Sequence, residues 1–313
     1  MGDADLRAAL ARDLAACGVR RGPDAVLLVH SSLSALGHVP GGAAGVLDAL
    51  VDALGGGTLV VPALSYLFVS ASAPRFDPAS TPTNLGAIPA AALRRPGAVR
   101  SCHPTHSCVA IGPRAADVCG EHHLDRTPVG AHSPFARVRA LGGQVAFLGV
   151  PHLARCNTSI HGVEEALPSG PPPYLLTPEP VAYEVVVATP AAPTAGGGGG
   201  CGGVALVEVQ RHRRHDFAGT LQRYERVVAL LEAASDAPPG SCVRGRVLAA
   251  DAVVMDAREM WRVATAALEA DPLCLVARAG APGEEEAHHL VESATEPGVF
   301  RYRVGPPAAA AAQ

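Results

Sequence analysis

The chain has 313 residues, 48% of them hydrophobic and 17% charged, and a formal net charge of −4. That length can bury a sizeable core as one large domain or one and a half, and the absence of a long basic run disfavours a nucleic-acid partner. No apolar stretch approaches the ~20 residues of a spanning helix. The opening Met1-Gly2-Asp3-Ala4-Asp5 lacks the features of a secretory signal, and Leu6 stands where a myristoylation signal needs Ser or Thr, so a cytoplasmic location without membrane attachment is expected.

Residues 4–17 mix Leu and Ala with charges at helical spacing, and Gly18 stops them. Ala25 to Val29 reads as a short strand that ends in the polar His30-Ser31-Ser32. Val46, Leu47, Leu50, Val51 and Leu54 form one apolar helix face, closed by Gly55-Gly56-Gly57. Thr58 to Val61 is the next strand. A strand, helix and strand in that order indicate a parallel crossover, and ligands of such sheets gather at the carboxyl ends of strands, where His30-Ser31-Ser32 lies.

Residues 70–84 are rich in Ser, Pro and Thr and read as a loop, followed by a helix over 86–94. Val109 to Ile111 is a strand with a helix starting near Pro113. Ser133-Pro134 reads as an N-cap with proline at the first helical position, for a helix running to Leu141. Gln144 to Val150 is a buried strand, and Asn157, Thr158 and Ser159 are all suitable caps for a helix that follows. Beyond residue 166 the expectation is a strand over 181–188, a glycine-rich flexible loop over 190–203, a strand over 204–209 completing a hairpin, and a helix over 217–234. Two short strands near 243–248 and 252–255, a helix over 257–270 and a frayed alanine-rich tail from 306 complete the chain. The organisation is one α/β domain with a mixed sheet and flanking helices: residues 1–166 form a first half, 167–305 a second, and 306–313 a disordered tail.

The helix beginning near 157 carries His161 and Glu164, three apart and so on one face. A carboxylate there can fix the imidazole's tautomer and stabilise its protonated form, which prepares a general base near neutral pH. By itself a His-x-x-Glu pair is more often a surface pair. The segment Cys102-His103-Pro104-Thr105-His106-Ser107-Cys108 holds four side chains that zinc accepts, but His122-His123 is a poor second knuckle, so no metal is expected. None of the eight cysteines forms a Cys-x-x-Cys, and reduced thiols are expected.

Taken in order, several of these stretches resemble the aminoglycoside 3-N-acetyltransferase family. They are His30-Ser31-Ser32-Leu33 with Gly41-Gly42, Gly57-Thr58-Leu59-Val60-Val61-Pro62, and Phe76-Asp77-Pro78 with Thr81-Pro82. Pro96-Gly97 with Arg100-Ser101, His103-Pro104 and Ser107 continues the series, as do Ser133-Pro134, Leu148-Gly149-Val150 and Asn157-Thr158-Ser159-Ile160-His161 with Glu164. The order holds over residues 25–166. His215-Asp216-Phe217 is similar to a feature of the family's substrate half.

The resemblance implies a mixed α/β fold distinct from the commoner GNAT acetyltransferase fold. It implies direct acetyl transfer from acetyl-CoA, as co-substrate, to an amine, with aminoglycosides as the acceptor class, antibiotic resistance as the attached role, and a monomer or homodimer as the working form. His161 would be the base and Glu164 its orienting partner. His30, Ser31, Ser32 and Leu33 would hold the pantetheine arm, and Thr81, His103, Ser107, Ser133, Pro134 and Phe135 would line the coenzyme channel. Asp77, Glu165 and Asp216 would face the acceptor, with solvent the alternative for Glu165. Gly162 stands where the family tends to carry a bulky residue, which implies a more open cleft wall. The alternatives are an acyltransferase for another amine, a coenzyme-binding protein without activity, and a zinc hydrolase on Cys102, His103, His106 and Cys108. If His161 is not the base, His103, His106 and His132 come next.

Overall fold

A computed structural model describes residues 2–150, 157–188, 205–215, 222–277, 287–292 and 300–305. The chain opens with α1 (Asp3–Ala16), β1 (Val26–Ser31), α2 (Gly42–Ala53) and β2 (Thr58–Pro62). Next come β3 (Arg75–Phe76), α3 (Ala87–Leu93), β4 (Val99–Arg100), β5 (Cys108–Ile111), α4 (Ala115–Cys119) and α5 (Pro134–Ala140). After β6 (Gln144–Leu148) and α6 (Thr158–Glu165) follow β7 (Val181–Ala188), β8 (Ala205–His212) and α7 (Arg226–Ala233). The last elements are β9 (Cys242–Val247), β10 (Ala250–Asp256), α8 (Ala257–Ala270), β11 (Ala287–Glu292) and β12 (Phe300–Gly305).

Seven strands form the main sheet in the order β4-β5-β2-β1-β6-β10-β9. β1 is central and runs parallel to both β2 and β6, so the expected crossover is present. The outer pairs, β2 with β5, β5 with β4, β6 with β10 and β10 with β9, are antiparallel, which makes the sheet mixed. Alternation along β1 sorts its side chains between two cores. Val26 and Leu28 join Val118, Phe135, Val138, Ile160, Val163 and Trp261 on one face, and Leu27 and Val29 join Leu6, Leu10, Leu47, Leu50 and Ile88 on the other. Helices therefore cover both faces. Burying each such Leu, Val or Phe contributes roughly 1.5–3 kcal/mol before the entropy of ordering is counted.

Local signals end the helices as the sequence implies. Gly18 takes φ +76°, and the Val19 N–H reaches back to the Leu14 carbonyl at 3.0 Å, the Schellman arrangement. Ser133 caps α5 by accepting a hydrogen bond from the Ala136 N–H, with Pro134 at the first turn. Gly149, just past β6, takes φ +64°, and a Cβ there would lie 2.3 Å from the Ala35 Cβ. Only glycine lets the chain leave the sheet at that point.

A second sheet has the order β3-β7-β8, with β7 and β8 antiparallel as the expected hairpin. Its strand β3 lies inside the 70–84 stretch read as a loop, where two residues pair parallel with Glu184 and Val185. The helix expected over 217–234 starts only at Arg226. Before it, Gln222 bridges to Val276 and the Arg223 N–H donates to the Leu275 carbonyl at 2.7 Å, holding 222–223 extended. β11 and β12 form an antiparallel pair that the sequence did not suggest. The glycine-rich loop at 190–203 and the tail from 306 lie outside the described residues. Strands and helices from both sides of residue 166 build the main sheet and its cover. Among the described residues no helix is long and apolar enough to cross a membrane.

Candidate active site

The short helix α6 follows β6 and is capped by Asn157, whose side chain accepts from the Ser159 N–H. It is buried almost all round: Thr158, Ser159, Ile160, Gly162, Val163 and Glu164 are all inaccessible. A helix of this kind is held by tertiary packing rather than by its own propensity. Ile160 and Val163 enter the main core. Gly162 faces Trp261 and Val129, where a Cβ would meet the indole at 2.8 Å and a valine methyl at 2.9 Å. The expected open cleft wall is therefore absent: the indole occupies the space a side chain would take.

His161 and Glu164 share a face, but their direct contact, Nδ1 to Oε2, is a long 3.4 Å. The Tyr224 hydroxyl lies 2.8 Å from His161 Nδ1 and 2.8 Å from Glu164 Oε2. The other carboxylate oxygen accepts from the Tyr174 hydroxyl at 2.9 Å. Glu164 is fully buried, so these two phenols replace its water. Burial and the neighbouring Glu164 push both tyrosines above their ordinary range, which keeps them neutral donors.

Glu165, four residues after His161 on α6, is not solvated. Its Oε1 accepts from the Val129 N–H at 3.0 Å and from His215 Nε2 at 2.9 Å. Burial, helped by the nearby Asp125 and Glu164, raises its carboxyl to about 7. The His215 ring lies 4.4 Å from that of His161, centroid to centroid. From there imidazoles continue inward: His215 to His106 at 5.0 Å, His106 to His103 at 6.1 Å, and His103 to His122 and His212 at 4.7 and 4.8 Å. Burial holds His103, His106 and His215 well below the usual imidazole range, His122 at about 3 and His212 at about 4. These rings are neutral at physiological pH.

His30 ends β1, stacked on Phe147 at 4.7 Å, and is lowered to about 3 by burial and then by the proximity of His161. Ser31 pairs with Leu148 in the sheet, the Ser32 N–H donates to the Leu148 carbonyl at 2.9 Å, and Leu33 packs half-buried on the α2 side. His30-Ser31-Ser32-Leu33 and the helix of His161 thus lie at the same end of the central strands β1 and β6. Thr81 and Asp77 lie in a single turn, in which Thr81 Oγ1 accepts from the Asp77 N–H and Asp77 accepts from Ala79 and Ser80. The buried Ser107 hydroxyl donates to the Ala63 carbonyl and accepts from Arg100, and His103 Nδ1 accepts two backbone N–H groups. Ser133, Pro134 and Phe135 are buried, Ser133 as the cap of α5 and Phe135 in the main core. Asp216 lies outside the described residues. His132 pairs with Asp125 at 3.0 Å.

The Cys102–Cys108 segment does not form a metal cradle. His103 Nδ1 is already an acceptor, and Cys102 Sγ points to the Val186 carbonyl. Among the described residues no group of three or more His, Cys, Asp or Glu is arranged to hold a metal ion. The six described cysteines are free thiols, while Cys156 and Cys201 lie outside the described residues. Tyr174 and Tyr224 were missed by sequence reasoning. The available hint is rarity: five tyrosines in 313 residues make each one worth placing.

The sequence model of the aminoglycoside 3-N-acetyltransferase family matches residues 28–269. The chain belongs to that family. Among curated relatives, aminoglycoside N(3)-acetyltransferase IX of Micromonospora chalcea is 38% identical over 163 residues, which are 46% of this chain and 57% of that protein. The chain thus spans little more than half the length of the curated relatives it matches. Solved structures of the family share the fold more widely. A histidine-to-alanine mutant of AAC(3)-IVa in complex with a gentamicin has a TM-score of 0.63 and 28% identity, covering 87% of this chain and 91% of that one. AAC-IIIb in a binary complex with CoASH has a TM-score of 0.65 and 25% identity, covering 84% and 96%. The mixed α/β fold is that of these family members.

Proposed function

We propose that this chain transfers the acetyl group of acetyl-CoA to an amino group of an aminoglycoside, the 3-amino group, with His161 as general base. The observation that carries the proposal is the buried network of His161, Tyr224 and Glu164 at the strand end that also holds His30-Ser31-Ser32. Family membership and relatives crystallised with CoASH and with a gentamicin support the choice of both substrates. A net charge of −4 suits a polycationic acceptor.

An ammonium has no lone pair, so it must first release one proton to solvent before the amine nitrogen can bond to the thioester carbon. In the proposed sequence His161 Nε2 takes a proton from the attacking amine as the C–N bond forms. The oxyanion then collapses, the C–S bond breaks, and the imidazolium returns that proton to the coenzyme thiolate. No acyl-enzyme forms. His30, Ser31, Ser32 and Leu33 hold the pantetheine arm, and the Thr81 turn and the Ser133-Pro134-Phe135 corner shape its channel. Ser107 and His103 act from beneath, since the Ser107 hydroxyl and His103 Nδ1 are bonded within the protein. Asp77 and Asp216 face the acceptor, and Glu165 acts on it through His215. Residues 1–166 supply the coenzyme side and residues 167–305 the acceptor side of one domain.

The test is thiol release from acetyl-CoA with a panel of aminoglycosides and simpler amines. His161→Ala should cut turnover by ~10²–10⁴ while sparing coenzyme affinity, because a base acts in the transition state more than in ground-state binding. Near-wild-type turnover in that variant, or no thiol release with any aminoglycoside, would refute the proposal.

A further inference from the structure

We infer that Tyr224 is the positioning residue through which Glu164 acts on His161, so that the orienting unit is a relay of carboxylate, phenol and imidazole rather than a dyad. The inference rests on His161 being the base. Its ground is geometric: both oxygen contacts of Tyr224 are 2.8 Å, whereas the direct contact between His161 and Glu164 is 3.4 Å. A phenol has one proton to give. If it went to His161 Nδ1, Glu164 Oε2 would face a phenol oxygen at 2.8 Å with no hydrogen between them, deep in the protein where that repulsion is unscreened. Tyr224 therefore donates to the carboxylate, and its oxygen accepts from His161 Nδ1–H. That fixes the tautomer and leaves the lone pair on Nε2.

Tyr174 makes the same assignment more secure. Its hydroxyl occupies the second oxygen of Glu164, so the carboxylate is held from both sides and cannot rotate toward the ring without losing a buried hydrogen bond. Tyr224 is itself anchored by the backbone of the preceding residue, whose N–H bonds to Leu275. When Nε2 takes the amine proton, the new imidazolium finds at Nδ1 a phenol oxygen polarised by the carboxylate. Charge is stabilised without any further proton transfer, and Tyr224 and Glu164 keep their protonation states through the cycle. The titratable groups that the described residues bring near His161 are Glu164 on its own helix, Tyr224 before α7, His215 after β8, His106 between β4 and β5, and His30 at the end of β1. The three histidines are held neutral by burial, so of these groups only Glu164 and Tyr224 can favour the imidazolium.

The test is a double-mutant cycle on the full chain, read by kcat, KM and the pH profile of thiol release. Tyr224→Phe should lower kcat about 10–100-fold, the worth of one hydrogen bond to a charged group, with KM for both substrates nearly unchanged. The acid limb of its kcat profile should move about one unit lower in pH, a tenfold weaker hold on the proton. Glu164→Gln added to Tyr224→Phe should cost little more, because the carboxylate acts through the missing hydroxyl. Additive losses, or a Tyr224→Phe profile like wild type while His161→Ala is inactive, would overturn the relay and leave the base intact. An active His161→Ala would instead sink the base assignment. A second measurement needs no variant at position 224: the imidazole ¹⁵N shifts of His161 in the wild-type protein, assigned by their loss in His161→Ala. A protonated Nδ1 is expected, and an unprotonated Nδ1 overturns the proposal.

Discussion

Mild acid should unfold this protein unusually steeply. Six buried imidazoles, those of His30, His103, His106, His122, His212 and His215, are held below their ordinary range chiefly by loss of solvent. In the unfolded chain each takes up a proton near pH ~6.5, and in the native protein it does not. The unfolded state thus binds more protons, and stability is full above that pH and is lost as pH falls through it. Each ring costs about 1.4 kcal/mol for every further pH unit. Glu165 works the other way, since its native value of about 7 means the folded protein keeps a proton that the unfolded chain releases above its ordinary 4.5. It offsets one ring between those values. The net loss relative to pH 8 is about 4 kcal/mol at pH 6 and roughly 6–7 kcal/mol at pH 5.5. Against a total stability of about 5–15 kcal/mol, this puts acid unfolding between about pH 4 and 6. Urea titrations followed by circular dichroism from pH 8 to 5 give the slope, and about five protons should be taken up on unfolding. His212→Gln, whose amide can replace the bond from Nε2 to Gln210, should lower that number by one. Uptake of fewer than about two protons below pH 6, or a stability maximum at pH 5, would refute the reasoning.

Two further substitutions probe packing and the coenzyme edge. Gly162→Ala forces a methyl against Trp261 and Val129 and should cost about 1–3 kcal/mol, seen as a lower melting temperature; an unchanged Tm would mean that the indole moves aside freely. Ser32→Trp should weaken acetyl-CoA binding at least tenfold by calorimetry without lowering Tm, and unchanged affinity would remove the β1 edge from the coenzyme site.

What the sequence made legible follows the range of the forces involved. α8 matches its expected 257–270 because an amphipathic stripe and the Asp256 cap are local, and Asp256 does accept from Arg258 and Glu259. α7 was read nine residues too long on the N-terminal side, because the pairing of 222–223 with 275–276 is a tertiary contact that no window of sequence contains. β3 is two residues, too few to show a period. His161 and Glu164 were visible as an i, i+3 pair on a capped helix, whereas Tyr224 is sixty residues beyond Glu164 and reaches it only through the fold. Gly162 misled for the same reason: the side chain that fills its space belongs to Trp261 of α8, about a hundred residues on in sequence. Glu165 was open to acceptor or solvent in the sequence because its partner, His215, follows a strand of the other sheet.

That last contact bears on how far this chain can be taken apart. Glu165 lies before residue 166 and His215 well after it, yet each supplies a buried hydrogen-bond partner of the other. Exchanging everything after residue 166 for a segment without a histidine at the place of His215 would leave a carboxyl without its imidazole, inside the protein and one residue from Glu164. The part of the chain after residue 166 is therefore not a cassette to be swapped at a sequence boundary. A graft that works must carry the residue at 165 together with the one at 215, and chimeras that respect this pair should fold where others fail.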